Sequence, residues 1–164
     1  MDKKNQEEFL IIVNQFQRII KKYCIIYGND IMTSEDLYQE TLYNLWKNYS
    51  SYKGLCKLST WVYRITINTC INSIRLKYKE GKQLELGSAL NICDDDNVDK
   101  KENKEMLLNI IGQLSLIDKS IMLLWLEEKS YKEIAEIMGL SETNIASRLN
   151  RCKEKVINKF NQYK

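Results

Sequence analysis

The chain contains no proline anywhere in its 164 residues. A helix interior tolerates proline least, because it lacks a backbone N–H and its ring strikes the preceding turn. Without it nothing interrupts long helices, and extended proline-rich spacers are excluded. The apolar residues recur at three- and four-residue steps, the period of a helix face. Phe9, Ile12, Val13, Phe16, Ile20, Tyr23 and Tyr27 form such a face and predict a helix over about 5–27, stopped by Gly28, Asn29 and Asp30. A second helix is predicted from Thr33 or Ser34 to about Asn48, with Glu35 and Asp36 in its first turn, where carboxylates suit the helix dipole. The stretch from Tyr49 to Lys57 reads as a loop turning at Gly54, and Ser59 or Thr60 starts a helix from Trp61 to about Lys79.

From 80 to 104 the period is lost, and two glycines and Asp94, Asp95 and Asp96 mark a mobile linker. Helices then follow over about 103–113, from near Ser115 (with Asp118 three residues on) to Glu127, and after Ser130, where Ser130 and Glu133 have the spacing of a capping box. That short helix ends at Gly139, and a last helix capped by Ser141 runs to about Phe160. The expected fold is all-α: two small helical domains, 1–80 and 105–164, joined by a flexible acidic linker over 81–104.

Residues 1–79 carry 12 Lys and Arg against 7 Asp and Glu, residues 80–105 carry 4 against 8, and residues 106–164 carry 9 against 7. Two mildly basic ends thus flank an acidic middle, and 141–164 alone holds 6 basic against 2 acidic residues, a hint of nucleic acid. There is no histidine, which removes Ser-His and Cys-His catalytic schemes. The five cysteines, at 24, 56, 70, 93 and 152, form no CxxC pair, so they read as free thiols, and neither a metal site nor a cofactor is expected. No apolar run approaches the ~18 residues of a membrane span, so no membrane insertion is expected. The start shows no apolar core of a signal peptide, so a cytoplasmic location is expected.

Tyr131 to Ile145 has the spacing of a helix-turn-helix. Two helices crossing steeply need a small residue at the contact, here Ala135, and a turn residue tolerant of positive φ, here Gly139. Ile134, Met138, Leu140 and Ile145 would fill the wedge. In the last helix Ile145, Leu149, Cys152 and Val156 share a core face. Thr143, Ser147, Asn150 and Arg151 lie opposite, flanked by Asn144 and Arg148. Such a helix reads base edges in the major groove, where Arg pairs with guanine and Asn with adenine, while Lys153, Lys155 and Lys159 suit phosphates.

In the N-terminal half, Arg64, Asn68, Asn72, Arg75 and Lys79 are spaced as one polar stripe with no carboxylate in it. Solvated faces usually mix charge signs, and Asn is a poor interior helix former, so a nucleic-acid surface explains the stripe better. The preceding loop adds Tyr49, Tyr52, Lys53 and Lys57, aromatic and cationic groups suited to unstacked bases and phosphates. Asp36, Gln39, Glu40, Tyr43 and Lys47 share a face of the second helix that reads equally as a docking surface or a plain solvated face, with Leu37, Leu45 and Leu42 packed elsewhere.

The strings Asp36–Thr41 (DLYQET), Leu45-Trp46, Tyr52-Lys53-Gly54 and Ser59–Ile65 (STWVYRI), with Asn68, resemble conserved region 2 of extracytoplasmic-function sigma factors of the sigma-70 family, and Leu114–Lys155 resembles region 4. The two stretches cover about 120 of the 164 residues, in the family's order. The resemblance implies an alternative-type sigma factor that binds core RNA polymerase and directs promoter-specific initiation. It implies docking of Asp36, Gln39, Glu40 and Tyr43 on the β′ clamp helices, with the β flap a further contact. It also implies recognition and opening of the −10 element by Tyr52, Lys53, Lys57, Arg64, Asn68, Asn72 and Arg75. Reading of the −35 element falls to Thr143, Asn144, Ser147, Arg148, Asn150, Arg151 and Lys153. An anti-sigma partner is a further family expectation, and catalysis would belong to the polymerase. Two departures stand out: Ser115 follows Leu114 where the family usually has proline, a place where Ser115 with Asp118 can cap instead, and Ala146 replaces a basic residue of some relatives. The other classes consistent with the residues are a conventional helix-turn-helix regulator and a helical partner-binding module without DNA affinity.

Overall fold

The computed structural model describes residues 3–79 and 98–163. Among them are seven α-helices and no strand: α1 (Lys3–Tyr27), α2 (Ser34–Tyr49), α3 (Leu58–Lys79), α4 (Val98–Gly112), α5 (Leu116–Leu126), α6 (Tyr131–Met138) and α7 (Glu142–Gln162). They form two compact units, one of α1, α2 and α3 and one of α4 to α7. The all-α reading therefore holds. The linker expected over 81–104 lies outside the described residues as far as 97, and from Val98 the chain is already helical rather than starting near 103. Residues 98–105 have no apolar face, which is why periodicity missed them. They also lack Gly and Pro and are rich in Lys and Glu, so propensity alone favours the helix there.

In the first unit every helix packs on the other two. The expected face of α1 buries Phe9, Phe16, Ile20, Tyr23 and Tyr27, and leaves Ile12 and Val13 half-buried. Leu37 and Leu45 of α2, and Val62, Ile67, Cys70, Ile71 and Ile74 of α3, complete the core. Aromatic contacts close its end: Phe9 meets Trp46 edge-on at 4.9 Å, and Tyr49 donates to the Glu8 carboxylate at 3.2 Å. Burial, then Glu8, pushes the Tyr49 hydroxyl pKa up.

The stop at Gly28 works by space. A Cβ there would meet the Ser34 backbone nitrogen at 2.8 Å and the Cys24 carbonyl oxygen at 3.0 Å, so only glycine lets α1 end against the start of α2. Asn29 fills the turn, its side-chain oxygen accepting from the N–H groups of Ile31 (2.9 Å) and Met32 (2.8 Å).

In the second unit α7 packs on α4, α5 and α6. Its face of Ile145, Leu149, Cys152 and Val156 is buried as expected. Ser130 and Glu133 form the expected capping box at α6, and Gly139 ends that helix in the left-handed conformation at φ 67°. The end of α5 has the same need without the same residue. The Lys129 and Glu128 N–H groups bond back to the carbonyls of Leu124 (3.2 Å) and Trp125 (2.9 Å), which places Glu128 at φ 61°. A Cβ is unfavourable there. Glu128→Gly should raise stability by about 0.5–1 kcal/mol, whereas Gly28→Ala should lower it by about 1–3 kcal/mol through overpacking. Thermal unfolding of the two variants beside the parent checks both signs.

Candidate nucleic-acid interface

The polar stripe of α3 is a surface. Asn68, Asn72, Arg75 and Lys79 are exposed along it and Arg64 is half-buried at its start. The opposite side of the helix is buried, so packing of Val62, Cys70 and Ile74 orients the stripe outward. No carboxylate occurs in any of the 22 residues of α3, so its field is of one sign.

The loop before α3 divides its residues differently from a uniform stacking surface. Lys53 and Lys57 are exposed. Tyr52 is half-buried, its ring 5.1 Å from that of Trp61 and its hydroxyl donating to the Cys56 carbonyl at 2.7 Å, so it braces the loop. Leu55 is 91% exposed beside Gly54, which sits at φ 69°. Sequence reasoning did not single out Leu55. Its only signal was an apolar residue out of period beside a turn glycine.

On α2, Asp36, Gln39, Glu40, Tyr43 and Lys47 are all exposed on one face, as the spacing implied. Asp36 also has a structural task. The Thr33 hydroxyl oxygen accepts from the Asp36 N–H, and the Asp36 carboxylate accepts from the Thr33 N–H (3.2 Å) and hydroxyl (2.8 Å), a complete capping box. Glu40 and Glu35 accept weaker 3.4 Å bonds from Asn44 and Gln39 one turn on.

In α7, Thr143, Asn144, Ser147, Asn150 and Arg151 are exposed on the side away from the core. Arg148 and Lys153, from the same predicted set, are held within the unit. Arg148 donates through Nε to the Asn144 side-chain oxygen and makes an ion pair with Asp118 of α5, both at 2.9 Å. The Lys153 ammonium sits 4.1 Å from the centre of the Trp125 ring. Lys159 donates to Gln113. The basic helix thus leaves Arg151 and Lys155 outward and spends three other cations on its own unit. The Asp118 contact corrects an expectation: the Ser115 hydroxyl oxygen caps the Asp118 N–H at 3.2 Å, but the carboxylate does not return the bond and reaches Arg148 instead. Burial, then Asp118, pushes the nearby Cys152 thiol pKa up.

Four cysteines, at 24, 56, 70 and 152, are free thiols, Cys93 lying outside the described residues. No group of acidic, His and Cys residues able to hold a metal occurs among the described residues, and none of their helices is long and apolar enough to cross a membrane.

The Sigma-70 region 2 family matches residues 12–79, the first unit, and the Sigma-70, region 4 family matches 104–156, the second. The chain is 29% identical over 169 residues to the ECF RNA polymerase sigma factor SigW of Bacillus subtilis, spanning 93% of this chain and 88% of that protein. It is 25% identical over 171 residues to the ECF RNA polymerase sigma-E factor of Haemophilus influenzae, spanning 95% and 89%. In fold it is similar to the sigma factor RpoE solved in complex with the anti-sigma factor NepR from Bartonella quintana, with a TM-score of 0.72, 22% identity and 98% of each chain covered.

Because Asp36 closes a capping box, Asp36→Ala should cost about 1 kcal/mol of stability, while Gln39→Ala on the same face should change it by less than about 0.5 kcal/mol. Thermal unfolding separates the two, and any partner-binding loss in Asp36→Ala is to be read against that shift.

Proposed function

The chain belongs to the sigma-70 family of RNA polymerase sigma factors, in its extracytoplasmic-function group, and on that premise we propose a division of labour between its two units. The chain is an alternative sigma factor that directs transcription initiation. The exposed face of α2 (Asp36, Gln39, Glu40 and Tyr43) docks on the β′ clamp helices of core polymerase, with the β flap a second contact. The loop with Lys53 and Lys57 and the stripe of Arg64, Asn68, Asn72 and Arg75 bind the −10 element and its displaced strand, with Tyr52 holding the loop in shape. The exposed side of α7 reads the −35 element through Thr143, Asn144, Ser147, Asn150 and Arg151. The observation that carries the reading is the α3 stripe, where two asparagines and two cations stand exposed on a helix without a single carboxylate.

The mechanism is differential binding, with bond-making left to the polymerase core in the cytoplasm. Holding unstacked bases offsets part of the few kcal/mol that opening costs per step. Phosphate contacts make the affinity fall steeply with salt. An anti-sigma protein covering the exposed faces of α2, α3 and α7 would silence the chain.

The test is run-off transcription by purified core polymerase, with and without the chain, on the DNA upstream of its own coding region. A defined start that needs the chain supports the reading. Tight specific binding of the chain alone to that DNA, without a transcript, favours a conventional regulator. Asn68→Ala should lower open-complex formation and leave core binding intact; lost core binding instead would assign Asn68 to another surface. Arg151→Ala should weaken discrimination at one −35 base pair by about 1–3 kcal/mol, and an unchanged ranking of promoter variants would remove Arg151 from readout.

A further inference from the structure

Three helices of this chain start with the same spacing, a hydroxyl residue followed three positions on by an acid: Thr33 with Asp36, Ser115 with Asp118, and Ser130 with Glu133. In two of them the acid bonds back to its own cap. At α5 it does not. The Asp118 carboxylate crosses 30 residues of sequence to Arg148, with the two side chains only 19% and 29% exposed. Arg148 passes the constraint on, because its Nε–H can only donate and the Asn144 atom that faces it at 2.9 Å is the side-chain oxygen. The Asn144 backbone is fixed as well, its N–H capped by the Ser141 hydroxyl oxygen at 3.1 Å. The apolar contacts of Ile145 and Leu149 already hold α7 against the unit, so this polar chain sets a side chain rather than a helix.

The consequence is chemical. An asparagine reads adenine through two bonds, donating to N7 and accepting from the N6 amine. The Asn144 oxygen is held by the Arg148 Nε–H within α7, and the amide N–H groups of this exposed side chain remain to donate. We propose that Asp118 is a positioning residue for −35 readout: through Arg148 it fixes Asn144 as a donor, so that the base pair beneath the start of α7 is selected for a major-groove acceptor, as on guanine or thymine, and not for the two-bond adenine pattern. This rests on the assignment of −35 readout to α7. It also gives Arg148 a role other than direct contact with DNA.

The test uses the full chain with core polymerase on a promoter library randomised across the −35 element, scoring transcripts by sequence. Asn144→Ala marks the base pair that Asn144 reads. Asp118→Asn and Arg148→Gln should each reduce the preference at that same pair by roughly tenfold, the scale of one base contact, and shift it toward adenine. Preferences at the pair marked by Arg151→Ala should stay as they are. Asp118→Glu, which keeps the carboxylate, should retain the parent preference. Arg148→Gln keeps the experiment decisive should Asp118→Asn unfold the unit, which thermal unfolding would reveal. If Asp118→Asn and Arg148→Gln leave intact the preference that Asn144→Ala erases, the positioning role is wrong while readout by α7 stands. If neither Asn144→Ala nor Arg151→Ala alters any −35 preference, readout by α7 fails and the proposal falls with it.

Discussion

The second unit depends on one stripe of α7. Ile145, Leu149, Cys152 and Val156 are buried, and the three helices α4, α5 and α6 all pack on this helix. Burying each large aliphatic side chain there contributes about 1.5–3 kcal/mol. That burial lets the rest of α7 be poor helix material by core standards. Thr143, Asn144, Ser147 and Asn150 have low helix propensity and are exposed, yet they are kept in helical register by the stripe behind them. A surface of side chains with hydrogen-bonding tips is thereby offered on a rigid backbone.

The same economy governs the first unit. α3 is buried on one side almost continuously from Thr60 to Ile74, which fixes the rotation of the helix and hence the direction of Asn68, Asn72 and Arg75. The loop before it is held by Tyr52 and by the left-handed turn at Gly54, so its lysines and Leu55 project from a braced strip of chain. Close approach at Gly28 determines where α2 begins, and through Thr33 and Asp36 where its exposed acidic face starts. One carboxylate there serves both a helix end and a proposed docking surface, which ties the stability of α2 to its recognition chemistry.

Period, caps and turn residues made most of the architecture legible. The buried faces of α1 and α7, the box at Ser130 and the left-handed end at Gly139 are local properties, written in residues within one or two turns of each other. The early start of α4 was missed because its first turns have helix propensity without an apolar face. The exposed sides of α2, α3 and α7 were also legible, since a residue's place on a wheel follows from its number.

What the sequence by itself determined was therefore which residues form each helix, which side of each is apolar, and, through the strings DLYQET and STWVYRI, which family the chain belongs to. What only the tertiary structure decided was how the polar groups are spent. Arg148, Lys153 and Lys159 are cations of one basic helix, yet they turn to Asp118, Trp125 and Gln113, groups 28 to 46 residues away in the chain. Tyr52 is drawn in against Trp61, and Leu55 is left out. The physical reason is range. Helix formation and amphipathicity are settled by neighbours three and four residues apart, whereas an ion pair or a ring contact depends on where a second helix comes to lie, and that is settled by the packing of the whole unit.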